Sequence, residues 1–180
     1  MARQTPRLLN SEALFEYALR SLGARAHSVG ELRHKLERRA ERAEDVQPAL
    51  ARLKQYGYLD DQKYAEAIAA SRLENQGLGK ARVLEDLRKR RVAPVLAEKT
   101  VEDAYRGTDE VQLIQAFLRR KYRNVALKAF LAEPKNLASA YRRLRTAGFS
   151  SGNSIRVLKG FAREPEMLDA LEDEPGENIG

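Results

Sequence analysis

The 180-residue sequence has no cysteine and only two histidines, His27 and His34. The first absence excludes disulfides, thiolate-held zinc and cysteine nucleophiles, and it suits a reducing compartment. The second leaves nucleophilic and imidazole-based metal chemistry little to build on, because no third ligand stands at a suitable spacing from the pair. Gly77-Leu78-Gly79-Lys80 falls short of a phosphate loop: Glu74 occupies the leading glycine position and Ala81 replaces Ser or Thr. No apolar run approaches the roughly 20 residues of a membrane span. Met1 to Pro6 lacks the apolar segment of a signal peptide. These absences predict a cytoplasmic protein that is not an enzyme, carries no catalytic, cofactor-binding or metal-binding residues, and needs no cofactor.

What the chain does have is charge, unevenly placed. Residues 1–60 carry 11 basic and 8 acidic side chains, and residues 61–110 carry 10 of each. Residues 111–163 carry 12 basic side chains against one acid, Glu133, whereas residues 164–180 carry seven acids and no base. The net charge of +7 therefore hides a strongly basic third followed by an acidic tail. Such asymmetry points to a polyanionic or acidic partner, the plain alternative being a solvated helical surface with a solubilising tail.

Apolar residues recur at helical spacing almost throughout. Leu14, Tyr17, Ala18 and Leu22 predict a helix over about 12–22, ending at Gly23. Ser28 and Glu31 form a capping box ahead of Leu32 and Leu36. Val46, Leu50 and Leu53 define a third helix that stops at Gly57, the usual left-handed closing position. Asp60 or Asp61 caps the next helix, which carries Tyr64, Ile68 and Leu73. Gly77 and Gly79 interrupt the chain before a helix with Val83, Leu84 and Leu87, and Pro94 opens another that ends at Gly107. Three more are expected at about 110–122, 135–147 and 154–163. No run alternates with period two, so the fold class is all-α.

The helices come in threes. A slide of 51 residues lays Leu32 and Leu36 on Val83 and Leu87; a slide of 91 lays Leu53–Tyr58 on Leu144–Phe149. This predicts tandem three-helix repeats, about nine helices in an elongated, modular array. The expected division is a flexible segment over 1–11, units at 12–59, 60–108 and 109–163, and a largely disordered acidic tail over 164–180, with Met167, Leu168 and Leu171 as its short apolar stripe.

Four blocks resemble a known family. Arg25-Ala-His27-Ser28-Val-Gly-Glu31-Leu32-Arg33-His-Lys35-Leu36 is similar to R-x-H-S-x-x-E-L-R-x-K-L, and Tyr56-Gly57-Tyr58-Leu59-Asp60-Asp61-Gln-Lys-Tyr64 to G-Y-L-D-D-x-x-[FY]. Gly77-Leu-Gly79-Lys80-Ala-Arg82-Val-Leu-Glu85-Asp-Leu87 resembles G-x-G-x-x-[RK]-[IV]-x-x-E-L, and Arg120-Lys121-Tyr122 an R-K-Y element. The family is RecX, regulatory proteins that bind and inhibit the RecA recombinase, and the resemblance covers about residues 12–163. Arg90-Arg91 stand where the family has a Lys-Gly turn, and the chain after Pro165 lies outside its pattern.

The resemblance implies a monomeric protein lying along the RecA–single-stranded DNA filament, blocking ATP turnover, strand exchange and the coprotease function used in SOS control. The ATP would belong to RecA. The cations assigned to that contact are Arg25, Arg33, Lys35, Lys80, Arg82, Lys89, Arg90, Arg91, Arg119, Arg120, Lys121, Arg123, Arg142, Arg143 and Arg145. Those of the third unit outnumber any acid near them in sequence, so they favour a partner. Arg38-Arg39 and Arg88 to Arg91 also close helices, where cations suit the dipole without any ligand. The signature residues His27, Ser28, Glu31, Gly57, Tyr58, Leu59, Asp60, Asp61, Tyr64, Gly77 and Gly79 read as structural: caps, turns, and an aromatic-aliphatic pair, Tyr58 and Leu59, packed between units. His34 reads as solvated. A helix-turn-helix-like protein acting directly on DNA, and a helical adaptor for another partner, remain as alternatives.

Overall fold

A computed structural model of the chain describes residues 8–162 and Leu168. Among them are ten α-helices and a 3-10 turn at Ala43–Asp45, with no strand beyond an isolated bridge between Leu9 and Ala40. No described helix is long and apolar enough to cross a membrane. The chain forms two compact units, one from residues 1–69 and 86–100, the other from residues 70–85 and 101–180.

The first unit opens with α1 (Ser11–Ala24), α2 (Val29–Glu37) and α3 (Val46–Gln55). Their apolar stripes meet in a core of Leu14, Phe15, Ala18, Leu32, Leu36, Leu50 and Leu53. Each large side chain buried this way contributes about 1.5–3 kcal/mol before entropy is counted. Of the segment over 1–11 expected to be flexible, residues 1–7 lie outside the described residues, and Leu9 and Asn10 are held in place. Leu9 donates to the Arg39 carbonyl at 2.7 Å and accepts from the Glu41 N–H at 2.8 Å, and Asn10 caps α1 through the Ala13 N–H. The tail expected to be disordered falls outside the described residues, apart from Leu168, which is fully buried.

Three helices link the units in sequence: α4 (Asp61–Glu74), α5 (Lys80–Lys89) and α6 (Pro94–Ala104). The basic third that follows holds four helices rather than three: α7 (Glu110–Lys121), α8 (Leu127–Leu131), α9 (Pro134–Thr146) and α10 (Ser151–Lys159). Five-residue α8 is too short to show a period, and Leu131 is the residue it buries. The last helix begins at Ser151, three residues before its expected start. Its cap is Ser150, whose N–H and hydroxyl both donate to Glu110 at the head of α7. The core of this unit includes Ile114, Leu118, Leu137, Leu144, Phe149, Leu158 and Leu168.

Both slides correspond to real equivalences. Leu32, Leu36, Val83 and Leu87 are all fully buried. At the end of α3 the Tyr58 N–H bonds the Leu53 carbonyl and the Gly57 N–H bonds Lys54. At the end of α9, Phe149 and Gly148 do the same with Leu144 and Arg145. This is the Schellman closure, with both glycines at positive φ. The aromatic that follows has opposite fates. Phe149 is 1% exposed and edge-on to Phe117 at 5.4 Å, whereas Tyr58 is 58% exposed. The expectation that Tyr58 packs between helices is corrected: its described ring neighbour is Tyr56, which is itself exposed. Leu59 alone enters the core.

Candidate functional site

The signature residues fasten three helix ends together. At the head of α2, Ser28 Oγ accepts the Glu31 N–H at 3.0 Å and Glu31 accepts the Ser28 N–H, completing the capping box. The Ser28 hydroxyl donates onward to the Arg90 carbonyl at the end of α5. The Val29 N–H donates to Asp61 at 2.7 Å, while Asp60 accepts from the Lys63 N–H at 3.0 Å. The adjacent aspartates therefore cap two different helices, and neither is placed for acid–base work. Arg25 forks onto both Glu31 oxygens at 3.1 and 3.2 Å, Tyr64 donates to Glu31, and Arg90 donates to the Tyr64 hydroxyl at 2.9 Å.

Burial alone would raise the Glu31 pKa, but the Arg25, Ser28 and Tyr64 hydrogen bonds outweigh it and hold the carboxyl below its ordinary value. His27 is buried at 7% exposure, its Nδ1 3.7 Å from Glu31 without a hydrogen bond. Burial first, then the Arg25 charge, lowers the His27 pKa. His34 is exposed.

Arg91 ends α5 with the same closure as Gly57, its φ at 56° despite a full side chain. The left-handed turn that the family makes with glycine is thus kept. Gly30 lies so close to it that a Cβ there would overlap the Arg91 carbonyl.

The Gly77–Gly79 segment performs the corresponding task in the second unit. The Gly79 N–H donates to the Ala147 carbonyl at 2.8 Å, and the Ala81 N–H to the Gly148 carbonyl at 3.2 Å. A Cβ on Gly79 would collide with Gly148. The amide that a phosphate loop would offer is already committed. No group of three or more metal-binding side chains exists among the described residues.

The proposed contact cations sort sharply. Arg25 and Arg90 belong to the lock just described. Lys80 pairs with Glu102 at 3.0 Å, Arg82 with Glu85 at 3.7 Å, and Lys35 lies over the Tyr17 ring at 5.5 Å. Arg33, Lys89 and Arg91 are exposed in the first unit. Arg120 donates to the Gln76 carbonyl, and Arg145 to the Phe149 carbonyl. Arg143 covers the Tyr122 ring at 5.8 Å, which brings the basic end of α7 and the basic face of α9 together. Arg119, Lys121, Arg123 and Arg142 are exposed with no side-chain partner among the described residues.

An open depression of about 400 Å³ lies at the end of α7, with Phe117, Tyr122 and Val125 among Arg120, Lys121, Arg123 and Asn124. Cations for a phosphate chain beside aromatic faces for bases is the arrangement that single-stranded nucleic acid uses. The sequence displayed the charge of this site and, in Arg120-Lys121-Tyr122, one of its rings. The roles of Phe117, Asn124 and Val125 depend on the turn after α7, for which the sequence holds no periodic signal.

Residues 15–53 match a family model described as RecX, first three-helix domain, and residues 60–101 one described as RecX, second three-helix domain. A regulatory protein RecX of Deinococcus radiodurans is 37% identical over 144 residues, 80% of this chain and 65% of that protein. One of Thermus thermophilus is 41% identical over 88% of this chain and 98% of its own length. A crystal structure of RecX from Lactobacillus salivarius, 17% identical, superposes over 84% of this chain and 96% of that one with a TM-score of 0.61, a likeness of fold.

Proposed function

Because the chain belongs to the RecX family of regulatory proteins, we propose that it regulates the RecA recombinase by binding RecA filaments on single-stranded DNA and inhibiting their activities. The observation that supports this most is the aromatic-lined depression at the end of α7, where Lys121 and Arg123 are exposed with no side-chain partner among the described residues. These charges repel one another until an anionic partner relieves them. A filament offers such a partner, in DNA phosphates and in acidic protein surface beside them. Cations at a helix C-terminus suit backbone phosphates, whereas helix-turn-helix readers present the N-terminal residues of a recognition helix to base edges. Separate repeats contacting separate filament subunits would add weak contacts through effective concentration. The protein supplies occupancy, and ATP hydrolysis stays with RecA.

The test is the DNA-stimulated ATPase of RecA as this protein is titrated in. Inhibition at concentrations well below those that coat the DNA supports the proposal. Duplex binding at a specific site with an unaffected ATPase would replace it by direct action on DNA.

A further inference from the structure

We infer that the turn closing α3, at Tyr56, Gly57 and Tyr58, is a socket for the N-terminus of a helix from a partner protein. That helix would have a small hydrogen-bond donor as its cap, with a glycine and an acid in its first turn. The inference goes beyond the RecA reading and uses neither RecA nor the basic depression.

Among the described residues three helices, α3, α5 and α9, share one closure, in which an N–H bonds the carbonyl five residues back: Tyr58 to Leu53, Val92 to Leu87 and Phe149 to Leu144. Two of these turns receive a helix head from distant sequence. At the end of α5 the Arg90 carbonyl accepts from Ser28, the cap of α2, and Gly30 leaves room for the Arg91 carbonyl. At the end of α9 the Ala147 carbonyl accepts from Gly79, the residue before α5, and the lack of a Cβ there admits Gly148. In both joints the next side chain is sealed: Val92 is 3% exposed and Phe149 1%.

The end of α3 has the same backbone and none of this covering. The Tyr56 and Gly57 carbonyls take no hydrogen bond from any described residue. A Cβ on Gly57 would meet nothing within 4 Å, and Tyr56 and Tyr58 are 56% and 58% exposed. The two filled joints define what fits the open one: a capping donor for the carbonyl, and a glycine where the backbones approach. Exposed tyrosines give such a contact apolar area at low entropic cost. Arg52 lies over the Tyr56 ring at 5.6 Å, and both Arg52 and Lys54 are exposed, while Asp60 is occupied by Lys63. These cations favour acids in the incoming first turn, which the dipole of that helix favours as well.

The test uses the full chain, isotope-labelled for amide NMR, and a peptide of residues 26–37, the head that fills the α5 turn. It carries Ser28, Gly30 and Glu31, and Arg33→Lys allows a lactam to Glu37 that holds it helical. Saturable shifts should appear at Gly57, Tyr58 and Leu59, with the millimolar dissociation constant of a small contact. The Gly30→Leu peptide should bind at least about tenfold more weakly, because its side chain blocks the backbone approach. A chain with Tyr56→Ala and Tyr58→Ala should bind the original peptide at least about fivefold more weakly, with unchanged helical content. The absence of saturable shifts, shifts at the Arg91 turn without Gly57, or equal binding by either variant overturns the inference. RecA takes no part in this titration, so its outcome and that of the ATPase titration fail separately.

Discussion

Asp61 lies in α4, yet its carboxylate caps α2, accepting the Val29 N–H at 2.7 Å across 32 residues of sequence. Asp60, its neighbour, accepts from Lys63 within its own helix. Val29 is 8% exposed, so losing Asp61 would leave a largely buried residue's amide without its acceptor. Asp61→Ala should cost about 2 kcal/mol and Asp60→Ala about 1 kcal/mol in urea unfolding. Equal costs would mean that the interhelix cap contributes nothing of its own.

Two groups of the same lock make the first unit sensitive to acid. His27 has a folded pKa below its ordinary value of 6.5, so the unfolded chain takes up a proton first. Its contribution is complete above about pH 6.5 and is lost as pH falls toward the folded pKa. The depressed pKa of Glu31 acts in the same direction, starting near 4.5 and continuing as pH falls through its folded value. His27→Gln should flatten the pH dependence of stability between pH 7 and 5 while leaving the fall below pH 4.5 intact. Glu31→Gln should lower stability at pH 7 and flatten the lower limb. Denaturant titrations at several pH values check both.

The closing turns predict a graded glycine series. Gly57 has a φ of 74° with open space where a Cβ would go, so Gly57→Ala should cost about 1 kcal/mol of backbone strain. Gly148 combines a φ of 88° with backbone contact to Arg82, and Gly148→Ala should cost about 3 kcal/mol or more. Arg91→Gly should stabilise by about 0.5–1 kcal/mol, because it removes left-handed strain from a residue with a side chain. Thermal and urea melts of the three variants give the order directly.

Charge reversal separates binding cations from locking ones. Lys121→Glu, Arg123→Glu and Arg142→Glu together should weaken binding to single-stranded DNA and to the RecA filament at least tenfold at low salt. The logarithmic salt slope should fall by roughly 0.7 for each phosphate no longer neutralised. Helical content should hold, as exposed substitutions shift stability by only about 0.5 kcal/mol. Arg90→Glu should do the reverse, lowering stability because the Tyr64 hydroxyl loses its donor, with little effect on binding.

The parts of the fold written in short-range pattern were legible in the sequence. The Ser28–Glu31 box, the Gly57 stop and Pro94 as the first residue of α6 stand where their chemistry put them. The paired burial of Leu32, Leu36, Val83 and Leu87 followed from a repeat visible by eye. What escaped depends on distant partners. Nothing local distinguishes Asp60 from Asp61, or Tyr58 from Phe149; one is decided by a helix 32 residues away and the other by Phe117. The third unit displayed its cations plainly, but which are occupied became clear only once Gln76 and Tyr122 were placed beside them.

The closing turns also set an order of events during synthesis. The opening of α2 at Ser28 and Gly30 is completed by Arg90 and Arg91, and the opening of α5 at Gly79 and Ala81 by Ala147 and Gly148. The last partner of each helix start therefore emerges more than sixty residues later, 62 in the case of Ser28 and Arg90. Folding would trail translation by about one repeat, with the loop-closure cost of distant contacts met at each step. A chain cut short between residues 90 and 146 would keep the caps of α1 and α2 but leave the Gly79 and Ala81 N–H groups at the head of α5 without their acceptors.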